Sequence, residues 1–251
     1  MIIRYLSDLH LELIKETEIE NFIKQIIKNN EQVCILAGDI GNPYSKNYDL
    51  FMKYMNYSFK KIFVIAGNHE YYNNNKTIEE TNKYLIDYFK QYSNITFLNN
   101  SYEYYNNYCF VGTTLWSHIK NPEYKINDLY AIKNLDCIKY NNLNKVSINF
   151  LEDIGKTNNN LIIITHHVPS NNLIDSKYKV SHMEPYNQWF YSDMDNFIKI
   201  NKDVIKCWFY GHTHCPSYKI IYDIPFLCNP IGYVNENINN DFSKVLKLPK
   251  R

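Results

Sequence analysis

Short apolar runs alternate with helix-like segments along the first part of the chain. Three runs have the length and composition of buried strands: Ile2–Leu6, Val33–Ala37 and 62–66. Residues 18–29 carry isoleucine and phenylalanine at helical spacing, and we also expect helices at 48–57 and 77–91. Thr77 followed by Glu80 has the form of a capping box at the start of the last helix. This β-α order predicts parallel strands with helices flanking the sheet.

The second half of the chain is richer in strands. The predicted strands there are 95–98, 103–105, Tyr108–Thr113, Leu161–Thr165, 207–210, 218–221 and 225–228. The last two suggest a hairpin around 222–224, and helices are predicted at 146–156 and 186–200. Because the chain shows no internal repeat and no linker rich in proline, glycine or serine, we expect a single domain over 1–251.

Five polar clusters each follow a short apolar strand. They are Ser7-Asp8-Leu9-His10, Gly38-Asp39, Gly67-Asn68-His69-Glu70, Thr165-His166-His167 and Gly211-His212-Thr213-His214. Ligands of open α/β sheets bind outside the carboxyl ends of the strands. The five clusters are therefore expected to converge in one place.

Histidine is concentrated in these clusters. Six of the eight histidines lie there, and only His118 and His182 lie elsewhere. The pairs Asp8/His10 and His212/His214 are each two residues apart, so on a strand or strand end both side chains of a pair point to one face. That geometry suits two ligands of one metal.

The clusters offer imidazole, carboxylate and amide donors. Such a set is typical of sites for divalent manganese, iron, zinc, cobalt or nickel and not of a thiolate zinc site. Among these metals, manganese is favoured. Two ions roughly 3.5–4 Å apart would activate a shared water and hold the oxygens of an in-line displacement. Asp39 is our choice for a bridging carboxylate. The resulting positive site is expected to attract an anion such as a phosphate ester.

The ordered motifs resemble those of the calcineurin-like metallophosphoesterase superfamily, whose pattern is D-x-H, G-D, G-N-H-[DE], a histidine and G-H-x-H. The chain carries them as Asp8-Leu9-His10, Gly38-Asp39, Gly67-Asn68-His69-Glu70, His166 and Gly211-His212-Thr213-His214. The segment 228–233 also looks like the turn after a strand in small single-domain members. The resemblance implies an α/β/β/α sandwich, four layers in which two mixed sheets are flanked by helices.

The resemblance also implies a role for each matched residue. One metal would be held by Asp8, His10, Asp39 and His214, and the other by Asp39, Asn68, His166 and His212. His69 would not bind a metal but would protonate the leaving oxygen or stabilise its charge, and a metal-bridging hydroxide would be the nucleophile. His166 is preferred to the adjacent His167 as the ligand because family motifs place it directly after the strand's Thr or Ser.

Several neighbouring residues have more than one interpretation. His167 would contact substrate or simply pack, and His182 and Asn42 are candidate substrate contacts in loops. Glu70 either caps the following helix, which we favour, or orients a histidine. His118 is expected to be an ordinary surface residue.

Composition narrows the range of partners and compartments. The net charge is +1 and no long basic stripe occurs, so bulk electrostatic binding to nucleic acid is not favoured. The six cysteines form no CxxC pair and lie in apolar stretches, as reduced and mostly buried thiols do. No leader-like or membrane-length apolar segment occurs, so we expect a cytoplasmic protein with no membrane partner, whose 247–251 end is a frayed basic tail. Oligomeric state is not predicted.

The favoured function is hydrolysis of a small phosphate ester or phosphodiester at a dinuclear centre. The alternative within enzymes is a nuclease or nucleotide phosphodiesterase with the same centre. A non-catalytic binding module of this fold is the alternative from another class, and it would be expected to have lost ligands or His69. The chain retains all of them.

Overall fold

The computed structural model describes residues 1–26, 33–73, 75–233, 235–236 and 241–249. Their strands form two mixed sheets. In spatial order the first sheet contains β11 (Val245–Lys247), β1 (Ile2–Leu6), β2 (Val33–Ala37), β3 (Lys61–Ile65) and β4 (Ile95–Phe97). The second contains β5 (Ser101–Tyr105), β6 (Tyr108–Thr113), β7 (Leu161–Thr165), β8 (Ile205–Tyr210), β10 (Ile224–Cys228) and β9 (Ser217–Ile221). Strands β1 to β4 are parallel, as are β6, β7, β8 and β10, while β11, β5 and β9 pair antiparallel at the edges.

Helices cover the outer face of each sheet. The helices are α1 (Ile19–Ile26), α2 (Lys46–Ser58), α3 (Ile78–Phe89), α4 (Asp128–Ala131), α5 (Cys137–Thr157) and α6 (Asp195–Ile200). Side chains of α1, α2 and α3 pack on the first sheet, and side chains of α5 and α6 pack on the second. The predicted capping box of α3 is present, with Thr77 and Glu80 bonded to each other's backbone N–H groups.

A third apolar layer lies between the two sheets. Phe63 of β3 stacks on Phe110 of β6 with ring centroids 4.0 Å apart, and Ile35 and Ile164 belong to the same layer. The central strands are thus buried on both faces, and for that reason they appear in the sequence as continuous apolar runs. The helix–sheet–sheet–helix order confirms the predicted α/β/β/α class.

The predicted helix over 186–200 is confirmed only at Asp195–Ile200 and is wrong as a continuous helix. The chain instead forms a 3-10 helix at Glu184–Trp189 and the short α6, with a bridge between Tyr191 and Val168 in the gap. Val168 exchanges backbone hydrogen bonds of 3.0 and 2.8 Å with Phe190 and Ser192. This pairing therefore uses backbone N–H and C=O groups that a continuous helix would need for its own hydrogen bonds.

Other boundaries differ at the ends of elements. The residues 27–29 of the first predicted helix lie outside the described residues, and α5 begins nine residues before the predicted 146. The expected frayed tail is wrong where it is described, because Lys247 belongs to β11 and Leu248 bonds to Met1 in both directions, at 2.7 and 2.9 Å. The predicted hairpin is present as β9 and β10.

Two expectations from composition concern the cysteines and membrane spans. All six cysteines are free, and all but the partly buried Cys137 are buried. No helix in the described part of the chain has the length and apolar character that crossing a bilayer requires.

Candidate metal centre

The carboxyl ends of the central strands meet along one edge of the two sheets. Asp8, Asp39 and Asn68 follow β1, β2 and β3, and His166 and His212 follow β7 and β8 of the other sheet. The loops bond to one another, since the Asp8 N–H donates to Gly38 O (3.0 Å) and the Gly211 N–H to His166 O (3.0 Å). The strand-end clusters therefore converge as the sequence predicts.

Five of the candidate ligands have left-handed backbone conformations. Their φ angles are 54° at Asp8, 48° at His10, 53° at Asp39, 75° at His212 and 47° at His214. This conformation is uncommon outside glycine, although Asp, Asn and His adopt it more often than most residues. The simple strand alternation expected for the Asp8/His10 and His212/His214 pairs therefore does not hold, because these residues lie in turns beyond the strand ends.

Asp8, His10 and His214 form the first donor group. One donor atom of each lies within 4.8 Å of the others. His10 Nε2 is 3.0 Å from His214 Nε2, which in turn is 3.6 Å from Asp8 Oδ1. The Nδ1 of His214 lies 2.5 Å from Glu236 Oε2. That contact directs the other ring nitrogen of His214 toward the group.

Asp39, His166 and His212 form the second donor group. His166 Nε2 is 3.2 Å from Asp39 Oδ2 and 3.1 Å from Asn68 Oδ1, so the amide oxygen joins this group. The His166 Nδ1 faces the Ala37 carbonyl oxygen at 2.9 Å. His212 and His214 thus belong to different donor groups. The resemblance implies this separation, whereas strand alternation would place both residues on one metal.

The two groups are directly adjacent. The backbone N–H of His212 donates to Asp8 Oδ1 at 2.9 Å, so a residue of the second group fixes a carboxylate of the first. Close approach of Gly67 makes this packing feasible, because a Cβ there would lie 2.2 Å from Asp39 Oδ1 and 2.7 Å from the ring of His166.

A divalent cation fits these donors. The Nε2 of His212 is buried and has no hydrogen-bond partner among the described residues. A buried ring nitrogen without a partner is costly unless another group completes it. With imidazole nitrogens, carboxylates and an amide oxygen around it, that group is expected to be a divalent metal of the manganese-to-zinc series.

The protonation states also suit metal binding. Burial disfavours the charged form of Asp39, but the neighbouring His166 and His69 outweigh burial and hold the pKa of the Asp39 carboxyl well below its usual range. Burial, together with His167 and His166, holds the pKa of His212 well below 6.5. Metal ligands must be ionised carboxylates and neutral imidazoles, and the directions of these two shifts favour those forms. Burial lowers the pKa of His166, but the neighbouring Asp39 raises it to about 10, so a metal at this position would have to displace a proton from His166.

His69 lies beside the centre and faces an acid. Its Nδ1 is 3.1 Å from Glu12 Oε1, which is also 3.2 Å from His10 Nδ1. Burial by itself would lower the pKa of His69, but the effect of Asp39 and Glu12 is larger and raises the pKa to about 9. Glu12 was not predicted as a site residue, although it lies two residues after His10 in the chain.

Adjacent His166 and His167 point to different surroundings. His167 is buried, with Nδ1 3.2 Å from Thr114 O and Nε2 3.0 Å from the Tyr140 hydroxyl. Burial and the neighbouring His166 lower the pKa of His167 to about 3. Both of its ring nitrogens are thus engaged in the protein interior, and His166 is the one in a donor group.

The other candidate substrate contacts, Asn42 and His182, belong to neither donor group. Asn42 accepts a hydrogen bond from the Tyr44 N–H at 3.0 Å and so closes a local turn. His182 is exposed, as is His118, which was expected to be a surface residue. The substrate contacts of Asn42, His167 and His182 stay predictions.

A cavity of about 260 Å³ adjoins both donor groups. Asp39, Asn68, His69, His212 and His214 all line it. Tyr233, a further residue that the sequence analysis missed, also lines it and places its hydroxyl 3.2 Å from His69 Nε2. A larger cavity of about 690 Å³ reaches His10 between α1 and Phe242, but its described lining contains no other candidate ligand. The smaller cavity is therefore the candidate reaction site.

Glu70 bonds to the backbone of two loops, a role not considered from sequence. Its carboxylate accepts hydrogen bonds from the backbone N–H groups of Asp39 (3.0 Å), Ile40 (2.7 Å), Gly41 (3.4 Å) and Gly67 (2.6 Å). Burial, with Asp39 close by, raises the pKa of Glu70 to about 7. Glu70 therefore ties the loop after β2 to the loop after β3.

Replacing Glu70 by Gln is expected to lower the free energy of unfolding by about 1–3 kcal/mol, because the amide group turns two of its hydrogens toward backbone donors. Equilibrium urea denaturation measures the change. Glu20→Gln on the exposed face of α1 is the matched control and is expected to change stability by less than about 0.5 kcal/mol. Equal stability of the Glu70 and Glu20 variants would contradict this role.

Comparisons with known proteins agree with this geometry. The family model described as calcineurin-like phosphoesterase matches residues 1–216. The uncharacterized protein L509 of Acanthamoeba polyphaga mimivirus is 33% identical over 267 residues, covering 95% of this chain and 93% of that protein.

Solved structures share the fold at low identity. Phosphopantetheinyl hydrolase PptH of Mycobacterium tuberculosis superposes with a TM-score of 0.72 at 14% identity, covering 92% of this chain and 89% of that one. Protein TT1561 of Thermus thermophilus has a TM-score of 0.58 at 11% identity, with coverage of 91% and 88%. Since the family model matches 216 of the 251 residues and includes every candidate ligand, the chain belongs to the calcineurin-like phosphoesterase family.

Proposed function

We propose that this protein hydrolyses a small phosphate ester at a centre of two divalent metal ions. The observation that carries the proposal is the pair of adjacent donor groups on one cavity, with the buried His212 Nε2 lacking any other partner among the described residues. Family membership supports metal-dependent phosphoester hydrolysis in general. The number of metals, their identity and the reaction are our inference, with manganese as the favoured metal.

The ligand sets follow the two donor groups. Asp8, His10 and His214 would hold one ion, and Asn68, His166 and His212 the other. Asp39 lies in the second group, and we propose that its carboxylate bridges to the first. When bound, the ions would lower the pKa of a water molecule and stabilise charge on the phosphate oxygens.

The residues around the ions would position the reacting groups. Asp39 and Glu12 raise the pKa of His69 to about 9, which favours the protonated imidazole at neutral pH. Its Nε2 points to the cavity side, toward the Tyr233 hydroxyl, while Nδ1 faces Glu12. His69 is thus placed to donate a proton to the leaving oxygen of an ester bound in the cavity.

Metal content and turnover test the proposal together. Protein purified without chelator is expected to contain about two divalent ions per chain and to hydrolyse p-nitrophenyl phosphate, bis(p-nitrophenyl) phosphate or both when manganese is present. Chelation should abolish turnover, and added manganese should restore it. Inductively coupled plasma mass spectrometry and nitrophenolate release measure the two quantities.

Two results would contradict the proposal in different ways. Protein that binds no divalent metal would exclude the centre itself. Fully metal-loaded protein that hydrolyses neither ester would favour a non-catalytic binding module of the same fold. A preference for the diester would favour the phosphodiesterase alternative.

A further inference from the structure

Five apolar or aromatic side chains form one wall of the cavity beside the donor groups, whose lining also includes the polar Asn127, Asn187 and Thr213. Ile126 contributes to it from the segment before α4, and Ile174, Tyr178, Met183 and Phe190 from the segment between β7 and α6. Ile174 is buried, and the other four are partly shielded from solvent. A substrate that places its phosphate at the donor groups would therefore place its organic part against this wall.

The described lining of this cavity contains no lysine or arginine. Apart from the candidate ligand Asp39, its acidic members are Asp128, which is fully buried, and Glu236, which contacts His214. Lys177 is adjacent to Tyr178 in the chain but does not line the cavity, and its Nζ lies 4.8 Å from the centroid of the Tyr178 ring. Among the described residues the five wall side chains themselves thus offer an anion no positive partner, whether Asp128 is ionised or neutral, while the imidazole of His69 lies on the side of the donor groups.

A second anionic group on the substrate would be poorly accommodated here. It would lose hydration on entering the cavity, and an anion buried without a cationic partner is strongly disfavoured. The reacting phosphate is different, because its charge faces the candidate metal ligands. The cavity therefore accepts an anionic group at the donor groups and disfavours a second anionic group at the wall.

The cavity is also small. Its volume of about 260 Å³ is close to the lower end of the roughly 300–1,000 Å³ range of small-molecule sites. One ring or a short chain would occupy the apolar wall. Tyr178 and Phe190 offer aromatic surfaces to a flat group.

We infer that the substrate is an ester of phosphate with a small, apolar organic group that carries no second anionic group. The inference rests on the proposed function and specifies the substrate class of that same site. It disfavours nucleoside polyphosphates, and it disfavours polynucleotides because each further phosphate adds an anion. The nuclease alternative is accordingly less favoured than a small-ester hydrolase.

A matched pair of aryl monophosphates tests this charge preference. The two esters have the same leaving-group pKa, but one ring is uncharged and the other carries a carboxylate. Manganese-loaded protein is expected to show a kcat/KM at least about tenfold higher for the uncharged ester, equivalent to about 1.4 kcal/mol. If diesters are the better substrates, the methyl diesters of the same two phenols replace the monoesters.

A charge added to the wall tests its role. Met183→Lys is expected to reduce the preference for the uncharged ester at least about threefold, because lysine supplies the missing cation. Val180→Lys adds the same charge at an exposed position that does not line the cavity, and it should leave the preference unchanged. Circular dichroism of both variants checks that they fold.

The outcomes separate the inference from the proposed function. Hydrolysis of both esters with equal kcat/KM, or preference for the carboxylated ester, would overturn the inference while leaving a phosphoesterase in place. No hydrolysis of either ester by metal-loaded protein would overturn the proposed function and the inference with it. A Met183→Lys preference equal to that of the parent would overturn the assignment of this wall to the organic group.

Discussion

Replacing Asp39 by Asn is expected to lower kcat/KM by more than about a hundredfold, a larger loss than the 10–100-fold typical of residues that only support a metal ligand. The reason is the position of the carboxylate. Its Oδ2 lies 3.2 Å from His166 Nε2, and its Oδ1 accepts the His69 N–H at 2.8 Å. Asparagine keeps an acceptor oxygen but removes the negative charge that a bridging ligand needs. If the proposed centre of two ions is present, the variant is therefore expected to bind both of them more weakly.

The substitution tests the charge of the side chain alone, because the backbone at this position should accommodate asparagine. Asp39 has a φ of 53°, and asparagine adopts this left-handed region at least as readily as aspartate. Metal content after dialysis and turnover at limiting and excess manganese measure the effect. Asp153→Asn, at a side chain 78% exposed, is the control. Full activity of the Asp39 variant at trace metal would rule out the bridging role.

Much of the fold was predictable because its central strands are buried on both faces. Such strands show continuous apolar runs, so β1, β2, β6 and β7 were predicted with their observed bounds. The same argument fails where pairing between distant segments decides the structure. The sequence of β11, Val-Leu-Lys, is too short to predict a strand by itself. This strand forms because it pairs with β1, more than 240 residues earlier in the chain.

The candidate site was predictable to a similar extent. Strand-end position and residue type brought the ligand candidates together in sequence, and the structure places them in two donor groups. Their left-handed conformations were not predictable from spacing, because they depend on hydrogen bonds between loops from different strands. The same limit concealed Glu70, whose four backbone donors come from two separate loops.

The surroundings of His69 suit a proton donor. Glu12 contacts the Nδ1 of His69, and the Tyr233 hydroxyl contacts its Nε2. Among the hydrogen bonds of the described residues, that Nε2 has no contact with a residue of either donor group. Its ring also stacks on Tyr72 with centroids 4.1 Å apart, which fixes the plane of the imidazole. These contacts fix His69 at the cavity; with His10 and Glu12 it forms a third potential donor group, and we propose that it acts as a proton donor and not as a ligand.

Replacing His69 by Ala is therefore expected to lower kcat about 10²- to 10⁴-fold for an alkyl phosphate ester, the usual range for loss of a general acid, while the metal content stays near that of the parent. The loss should be smaller for p-nitrophenyl phosphate, whose leaving group departs readily without a proton. Turnover of the two esters and metal content by mass spectrometry measure these effects, with the exposed His118→Ala as control. Loss of both metals would instead identify His69 as a ligand, and equal losses for the two esters would argue against proton donation, because only the poorer leaving group requires it.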